Sequence, residues 1–438
     1  MTTKRTDITP DRSETVFEEF KPPYNKMQAA VEANRCLYCE DAPCIKACPT
    51  SIDIPTFIRK IATDNVKGSA KTIFESNVLG MSCARVCPVE VLCVGDCVFN
   101  EMDQPPIQIG KLQRYSTDVA YEKEWTYFEA GEDTGKNVGI VGAGPAALAT
   151  AHELRRLGHA VTLYEKREVI GGLNTTGIAP YKMKADASVD EVNWILSIGG
   201  IEVKTGFEVG KDATLEELDA KHDALVLAFG LGPDSSLSAV GEDLEGVYGA
   251  VEYIELFKVG QVDVSGVKNA VVVGGGNTAL DAVRELRGLG VESVTLAYRG
   301  REPGMSGYAH EWKAGKVEGV RAAFGTQPIA FEGAGKVEGI KCVRLDEKKK
   351  TIEGSEHVLP ADLVLLAIGQ GKLGELAASL PGVVVEKGCV QVDAGGATGR
   401  PGVYAAGDAA NGGTEVVYAA AEGKKAAHAI DAYFKGQA

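Results

Sequence analysis

Eight of the ten cysteines of this chain lie within its first hundred residues, in two runs of four. The first run consists of Cys36, Cys39, Cys44 and Cys48. The second run consists of Cys83, Cys87, Cys93 and Cys97. Closely spaced cysteines that are completed by a distant one are typical of the thiolate ligands of 4Fe-4S clusters. The two runs therefore predict two such clusters and a protein that moves single electrons.

Two other uses of these cysteines compete with that interpretation. A disulfide framework needs an oxidising compartment, and the N-terminus shows no apolar signal segment and no stretch of about 18 apolar residues follows. Zinc is the stronger competitor, because four thiolates close a tetrahedral site. Yet the gaps in the second run are three, five and three residues, and the surrounding residues are apolar. Apolar shielding favours an electron-transfer cluster over zinc.

Length and charge narrow the possibilities further. A chain of 438 residues predicts about three domains. Its formal charge of -15 argues against nucleic acids and anionic membranes as partners, because both attract basic surfaces. The missing leader predicts a cytoplasmic protein.

The N-terminal region is predicted to be helical behind a polar arm. Residues 1–20 are polar and predict a loose arm or an interaction strap. Residues 26–120 predict short helices, with Asp53 and Pro55 at one helix start.

A dinucleotide-binding motif follows a polar linker at residues 131–136. A buried strand is predicted at residues 137–141, a helix up to Leu157 and a second strand at residues 160–164. In this motif one glycine makes the turn, another lets the backbone approach the pyrophosphate, and an acid at the second strand end accepts ribose hydroxyls. The matching candidates are Gly142, Gly144, Ala147 and Glu165.

The same pattern recurs 132 residues later, so two dinucleotides are predicted. The second unit has strands at residues 270–273 and 293–298 and a helix that runs to about Leu289. Two similar strands, at residues 224–230 and 362–369, would carry the chain from one unit to the other and back. The candidate contacts of the second nucleotide are Gly274, Gly276, Asn277, Thr278, Ala367 and Gly369.

The C-terminal region adds a resemblance to known proteins. Residues 402–408, Gly-Val-Tyr-Ala-Ala-Gly-Asp, resemble the flavoprotein reductases with two dinucleotide domains, which implies that Gly407 and Asp408 contact FAD. With the cysteine segments 35–39, 41–44, 47–50 and 92–97, nearly the whole chain resembles the small subunit of glutamate synthase. It resembles more closely the NAD(P)H-oxidising subunit of bacterial dihydropyrimidine dehydrogenase, and equally the amino-terminal half of the animal enzyme.

This resemblance implies an α/β fold of two nested dinucleotide-binding domains behind a helical double 4Fe-4S domain. The implied boundaries are 1–130 for the iron–sulfur domain, 131–232 with 361–438 for the FAD-binding domain, and 233–360 for the NAD(P)-binding domain. One cluster would be held by Cys36, Cys39, Cys44 and Cys97. The other would be held by Cys48, Cys87, Cys93 and, as an unusual fourth ligand, Gln113. Spacing alone makes Cys83 a natural fourth thiolate, so both alternatives stay open.

The resemblance also implies further nucleotide contacts. For the flavin these are Lys166, Gly172, Leu173 and Lys182, although a solvated surface lysine is the simpler interpretation of Lys182. After the second strand of the second unit, relatives that use NADPH carry paired basic residues, because arginine grips the 2′-phosphate. This chain has Arg299 and Arg301, but Gly300 interrupts the pair. NAD and NADP therefore both stay open.

These features predict hydride exchange between NAD(P)H and FAD, followed by single-electron transfer through two clusters to a partner. Disulfide reductases of this fold need a cysteine pair, whereas Cys342 and Cys389 are isolated, and no catalytic residue is assigned. Because no domain remains for an organic substrate, a catalytic partner subunit is expected. The main alternative is an NAD(P)+-reducing output subunit of a ferredoxin-linked 2-oxoacid oxidoreductase, and a zinc scaffold with degenerate nucleotide domains is a third.

Overall fold

The computed structural model describes Ile8 and residues 10–436 of the chain. The remainder of the predicted N-terminal arm, residues 1–7 and residue 9, lies outside the described residues. None of the helices in the described part has the length and apolar character that a membrane crossing requires.

The N-terminal unit is helical, as its sequence predicts, and contains no strand between residues 26 and 122. Helix α3 begins after Asp53, whose carboxylate accepts a hydrogen bond from the backbone N–H of Thr56 at 3.1 Å. Its buried face forms one core with the cysteine loops. The helices of this unit are α1 (Lys26–Ala33), α2 (Pro43–Lys46), α3 (Ile54–Ala62), α4 (Val66–Ser76), α5 (Gly80–Val86) and α6 (Ile109–Glu122).

The first nucleotide-binding unit is built on a parallel sheet with the strand order β15-β4-β1-β2-β3. Its central strands β1 and β4 are largely apolar and buried because helices cover both faces of the sheet, and the first two strands have the predicted bounds. The elements are β1 (Asn137–Val141), α7 (Pro145–Arg156), β2 (Ala160–Tyr164), α8 (Leu173–Thr176), α9 (Ala185–Leu196), β3 (Ile201–Lys204), α10 (Leu215–Lys221) and β4 (Ala224–Leu227).

The second unit repeats this plan in a parallel sheet with the order β5-β12-β6-β7-β8, and a three-stranded antiparallel sheet, β11-β10-β9, is attached to it. Its elements are β5 (Val247–Gly249), α11 (Ala250–Val259), β6 (Asn269–Gly274), α12 (Asn277–Gly288), β7 (Ser293–Tyr298), α13 (Ala309–Val317), β8 (Arg321–Phe324), β9 (Thr326–Glu332), β10 (Gly339–Arg344), β11 (His357–Pro360) and β12 (Leu363–Ala367).

The return to the first unit lies later than the boundary expected at residue 361. Strand β12 pairs with β6 and with β5, so it completes the second sheet. In the second sheet β12 lies next to β6, just as β4 lies next to β1 in the first sheet. Strand β12 therefore belongs to the second unit. The returning elements are α14 (Gly374–Ala378), β13 (Val385–Glu386), β14 (Cys389–Val390), β15 (Val403–Ala405), α15 (Asp408–Asn411) and α16 (Val416–Phe434).

The described part of the N-terminal arm is a strap that crosses all three units. Phe17 packs edge-on against Phe257 of α11, with ring centroids 5.5 Å apart. Glu19 forms ion pairs with Arg85 of α5 and Arg114 of α6, at 3.3 and 2.6 Å. Of the two alternatives for this segment, the structure shows the strap.

Candidate functional site

Four thiols from both cysteine runs line one pocket of the helical unit. They belong to Cys36, Cys39, Cys44 and Cys97, and the rest of the wall is mainly apolar, with Ile54 and Ile58 of α3. The pKa of Cys44 is raised to about 12, mainly because the thiol is buried and further because the other three thiols are near. The structure thus brings together the four side chains that the family resemblance assigns to one cluster.

A second group of thiols lies beside the first. The pKa of Cys87 is raised well above its usual value, first by a hydrogen bond with Cys83, then by burial, and then by the nearby Cys83, Cys93 and Cys48. Burial also raises the pKa of Cys93, followed by the nearby Cys48 and Cys44. Cys48, Cys87 and Cys93 are therefore gathered as the resemblance implies, and Cys83 joins them.

The two candidates for the fourth ligand of this group lie on the packed helices α5 and α6. Gln113 of α6 is buried, and its Nε2 donates to the carbonyl of Gly80 at 2.7 Å. Cys83 of α5 is buried as well, and its Sγ accepts from Nδ2 of Asn77 at 3.2 Å. The choice of Gln113 over Cys83 stays a prediction.

Among Ile8 and residues 10–436, no three His, Cys, Asp or Glu side chains converge closely enough to hold a single metal ion. Zinc would draw its sulfurs to within about 2.3 Å of one centre. A body of several irons and sulfides separates its thiolates more widely. Cysteine thiolates are the ligands that hold 4Fe-4S clusters, and each of the two groups supplies at least three of them.

The first glycine turn forms a cradle at the carboxyl ends of β1 and β2. Gly142 has a φ of +106°, and a Cβ there would lie 2.6 Å from the carbonyl oxygen of Ala228. Gly144 caps the start of α7, and a Cβ on Gly172 would lie 2.9 Å from its Cα. Open backbone beside a helix start is the arrangement that binds a pyrophosphate. Ala147 is buried in α7 behind it.

Acidic side chains stand at both ends of this cradle. The Glu165 carboxylate accepts backbone N–H bonds from Ala143 and Arg167, each at 2.9 Å, which fixes it at the end of β2. Asp408 follows Gly407 at the start of α15, and a Cβ on Gly230 would lie 3.7 Å from its Oδ2. Burial raises the pKa of Asp408. Both carboxylates thus lie at the carboxyl edge of the first sheet.

The remaining residues expected near the flavin have different surroundings. Leu173 is half-buried at the start of α8, directly after Gly172, whereas Lys166 is exposed and lies 3.4 Å from Glu208. Lys182 is largely enclosed, with 11% of its side chain exposed, and its Nζ lies 2.8 Å from Asp281 and 2.7 Å from Glu311, both in the second unit. Lys182 is therefore neither a solvated surface lysine nor an uncompensated cation.

The second glycine turn repeats the first in geometry. Gly274 has a φ of +150°, and a Cβ there would lie 2.2 Å from the carbonyl oxygen of Ala367. Gly276 caps α12, whose first residue Asn277 accepts the backbone N–H of Tyr308 on Oδ1 at 3.0 Å. Thr278 is half-buried in the same turn of helix. Gly369, just beyond β12, has a φ of +108° and accepts the backbone N–H of Ser235 at 2.9 Å.

The two arginines at the end of β7 are not equivalent. Arg299 follows Tyr298 directly and is exposed. The guanidinium of Arg301 donates to the carbonyl of Leu345 at 3.3 Å, in the loop that follows β10. Both arginines are exposed, so their contacts with a nucleotide phosphate stay a prediction, and the choice between NAD and NADP stays open.

Sequence reasoning missed the polar contacts that join the units. The Tyr308 hydroxyl donates to the Glu415 carboxylate across the two nucleotide-binding units. Glu191 of α9 accepts hydrogen bonds from α5 of the helical unit. No local sequence signal marks these residues, because their partners lie more than 100 residues away.

Two protein-family models match the chain. The family described as "Dihydroprymidine dehydrogenase domain II, 4Fe-4S cluster" matches residues 12–125. The family described as "Pyridine nucleotide-disulphide oxidoreductase" matches residues 136–423. They confirm the predicted arrangement, a helical iron–sulfur domain followed by an α/β nucleotide-binding body. They also confirm the predicted cofactor classes, which are FAD, 4Fe-4S iron–sulfur and NAD(P)(H).

Similar proteins include subunits of larger enzymes. The NAD-dependent dihydropyrimidine dehydrogenase subunit PreT of Escherichia coli O157:H7 is 36% identical over 96% of this chain and 98% of its own length. The glutamate synthase (NADPH) small chain of Escherichia coli K12 is 34% identical over 94% of this chain and 93% of its own. These relatives imply that the chain has a catalytic partner.

Solved structures support the fold of the nucleotide-binding body. Thioredoxin reductase of T. acidophilum has a TM-score of 0.55 and 22% identity, and the match covers 69% of this chain and 100% of that one. FprA from Mycobacterium tuberculosis in complex with NADPH has a TM-score of 0.55 and 21% identity, over 69% of this chain and 85% of that one.

The family models and relatives together confirm the predicted activity class, an NAD(P)H-dependent oxidoreductase that acts as an electron-transfer subunit. The chain belongs to the pyridine nucleotide–disulphide oxidoreductase family, as a member with an N-terminal 4Fe-4S domain of the dihydropyrimidine dehydrogenase type.

Proposed function

We propose that this chain is the NAD(P)H-oxidising input subunit of a larger cytoplasmic oxidoreductase. The observation that carries the proposal is the packing of α5 against α9 and α16 of the first nucleotide-binding unit. Helix α5 contains Cys83 and is followed directly by Cys87. The second thiol group is therefore held directly against the unit proposed to bind FAD. None of the ten cysteines, all of which lie within the described residues, forms a disulfide.

The cofactor-binding roles follow the three parts of the site. FAD would be held by Gly142, Gly144, Ala147, Glu165, Lys166, Gly172, Leu173, Gly407 and Asp408. The nicotinamide nucleotide would be held by Gly274, Gly276, Asn277, Thr278, Arg299, Arg301, Ala367 and Gly369. We assign Lys182 a linking role between the units, because Asp281 and Glu311 already compensate its charge.

The chain's own residues bind and orient these groups. FAD, when bound, exchanges a hydride with nicotinamide and single electrons with iron–sulfur clusters. Glu165 would accept ribose hydroxyls, and the two glycine turns would present backbone N–H groups to phosphates. The apolar walls around the thiols would shield the clusters from water, and such shielding tunes their potentials.

The proposed partner is a catalytic subunit that binds the organic substrate. The relatives are named as a dihydropyrimidine dehydrogenase subunit and as a glutamate synthase small chain. We therefore expect a pyrimidine-reducing or a glutamate-forming partner. Co-purification with a flavin-containing subunit of either kind would support the input role, whereas a thiamine-dependent subunit would instead support the output role.

Anaerobic reduction of the purified chain tests the proposal. NADH and NADPH are added separately, while the flavin absorption and the EPR signal of reduced clusters are followed. Bleaching of the flavin together with a cluster signal supports the input role and identifies the preferred nucleotide. A preparation that contains FAD and iron but is reduced by neither nucleotide would contradict it.

The fourth ligand of the second cluster is tested with a matched pair of variants, Gln113→Leu and Cys83→Ala. If Gln113 is the ligand, Gln113→Leu lowers the iron content and changes the EPR signal of one cluster, while Cys83→Ala leaves both nearly unchanged. The opposite pattern would assign the position to Cys83. Both residues are buried, so the comparison controls for the general cost of a core substitution.

A further inference from the structure

A buried carboxyl group lies where the helical unit meets the first nucleotide-binding unit. Glu191 of α9 is 0% exposed, and it accepts the backbone N–H groups of Met81 and Ser82 at 3.0 and 3.2 Å. The Ser82 hydroxyl donates to its other carboxylate oxygen. These three donors belong to the first turn of α5, the helix that is followed directly by Cys87.

Asn174 extends this contact to α8, the short helix that begins just after Gly172. Its Nδ2 donates to Oγ of Ser82 at 2.7 Å and to Oγ of Ser188 at 3.2 Å. Its Oδ1 is buried and has no hydrogen-bond partner. A buried, unpaired amide oxygen costs free energy. The unpaired oxygen is available as an acceptor if the hydrogen bonds of this network rearrange.

The charged groups around Glu191 come from several elements. Arg85 of α5 is the nearest cation, but it already pairs with Asp118 of α6 at 2.8 Å and with Glu19 of the strap at 3.3 Å. Helix α6 also brings the buried Tyr121 near, α7 places His152 against Trp194 of α9, and α8 carries no titratable side chain. Glu191 thus receives little compensation from cations.

Burial has the largest effect on the pKa of Glu191. The pKa of Glu191 is raised to about 7, mainly by burial, while the hydrogen bonds from Ser82 and Met81 and the charge of Arg85 oppose the shift. A group poised near neutral pH responds to a change of charge nearby, because a like charge disfavours the ionised form.

We propose that Glu191, with Ser82 and Asn174, is a proton-holding site that compensates the charge of electrons residing between the flavin-binding and cluster-binding parts. This inference rests on the proposed function. When one electron arrives at the adjoining cluster, the Glu191 carboxylate takes one proton from solvent and becomes a neutral carboxylic acid. When the electron leaves, the proton returns to solvent. Glu191 is a positioning residue here, because it does not touch the reacting atoms.

The hydrogen bonds of the network fit both proton states. With Glu191 ionised, the Ser82 hydroxyl donates to the carboxylate and accepts from the Asn174 amide, as the structure shows. With Glu191 protonated, the carboxylic acid donates to Ser82. The Ser82 hydroxyl then needs a new acceptor, and rotation of the amide presents the unpaired Oδ1 of Asn174.

The test is an EPR-monitored redox titration of the holoprotein between about pH 6 and pH 8, on either side of the pKa of Glu191. In the wild type the midpoint potential of the proximal cluster falls as the pH rises. In Glu191→Gln, which has the shape of the neutral acid, the potential stays near its low-pH value. A wild-type potential independent of pH, or a variant that keeps the wild-type slope, would overturn the proposal.

Two further variants separate this role from a structural one. Ser82→Ala removes a hydrogen bond that favours the ionised form of Glu191. The pH range over which the midpoint potential changes should therefore move to higher pH. A pH range that is the same as in the wild type would contradict the proposal. Glu285→Gln removes another fully buried carboxyl group, on α12 of the second unit, and leaves the slope unchanged. A preparation without any cluster signal would refute the proposed function itself, not only this inference.

Discussion

The two nucleotide-binding units form the same turn but end their second strands differently. In each unit the turn glycine has a positive φ and lies against a carbonyl of the neighbouring strand, Ala228 for Gly142 and Ala367 for Gly274. In each sheet the second strand ends in tyrosine. The next residue is Glu165 in the first unit and Arg299 in the second.

This difference separates two tasks within one motif. The glycine turn and the helix start serve the phosphates, which every dinucleotide has. The residue after the second strand meets the ribose, where an acid accepts hydroxyl groups and an arginine suits a 2′-phosphate. The glycine turn therefore identifies a dinucleotide site, while the residue after the second strand determines which dinucleotide is preferred.

The largest expected effect comes from filling either turn. We expect Gly142→Ala to yield protein without FAD. We expect Gly274→Ala to retain FAD but to be reduced by NAD(P)H at least tenfold more slowly than the wild type. The added Cβ would lie 2.6 Å from a carbonyl oxygen in the first case and 2.2 Å in the second, at φ values that alanine rarely adopts. Flavin content and anaerobic stopped-flow rates measure both outcomes.

A glycine with open surroundings provides the control for these variants. A Cβ at Gly266 would meet no atom within 4 Å, so Gly266→Ala should leave flavin content and rate unchanged. Loss of FAD in Gly274→Ala together with an intact flavin in Gly142→Ala would reverse the assignment of the two units.

A smaller effect is expected at the strand end of the second unit. If NADPH is the better substrate, we expect Arg299→Ala to raise the KM for NADPH about tenfold, the size of a lost charge-assisted hydrogen bond, and that for NADH less than twofold. Arg301→Ala should change the NADPH value less, because that guanidinium donates to the Leu345 carbonyl. Equal effects on both nucleotides would contradict a 2′-phosphate contact for Arg299.

Local patterns predicted much of this molecule. The strands at 137–141 and 160–164 have the bounds that their apolar runs indicated. Both thiol groups bring together cysteines from the two runs, and their roles as cluster ligands stay a prediction. These features are determined by short segments, or by ligand spacings that a cluster imposes.

Long-range contacts explain what the sequence did not predict. The chain returns to the first unit after β12 because that strand pairs with β6, and a buried run carries no mark of the sheet it joins. Lys182 is largely enclosed, and Asp281 and Glu311 of the second unit compensate its charge. Glu191 similarly acquires its environment from a helix more than 100 residues away.

Helices α7 and α12 occupy corresponding positions in the two units, and the smallest effect is expected from a position at which they differ. His152 and Arg284 stand eight residues after Gly144 and Gly276 respectively. Arg284 reaches Glu318 at 2.7 Å, whereas His152 is 4% exposed and stacks on Trp194. The pKa of His152 is lowered to about 3, mainly by burial and further by Arg156 and Lys424, so this histidine is neutral in the folded chain near neutral pH.

His152 should therefore destabilise the fold as the pH falls. Below about pH 6.5 the unfolded chain binds a proton at this histidine and the folded chain does not, so the free energy of unfolding decreases. Between pH 7.5 and pH 6 this amounts to about 0.8 kcal/mol, or roughly 1–2 °C in the melting temperature. His152→Leu should lose that part of the pH dependence, whereas the half-buried His357→Leu serves as the control. If the melting temperatures at pH 6 and pH 7.5 differ as much in His152→Leu as in the wild type, His152 is protonated in the folded chain.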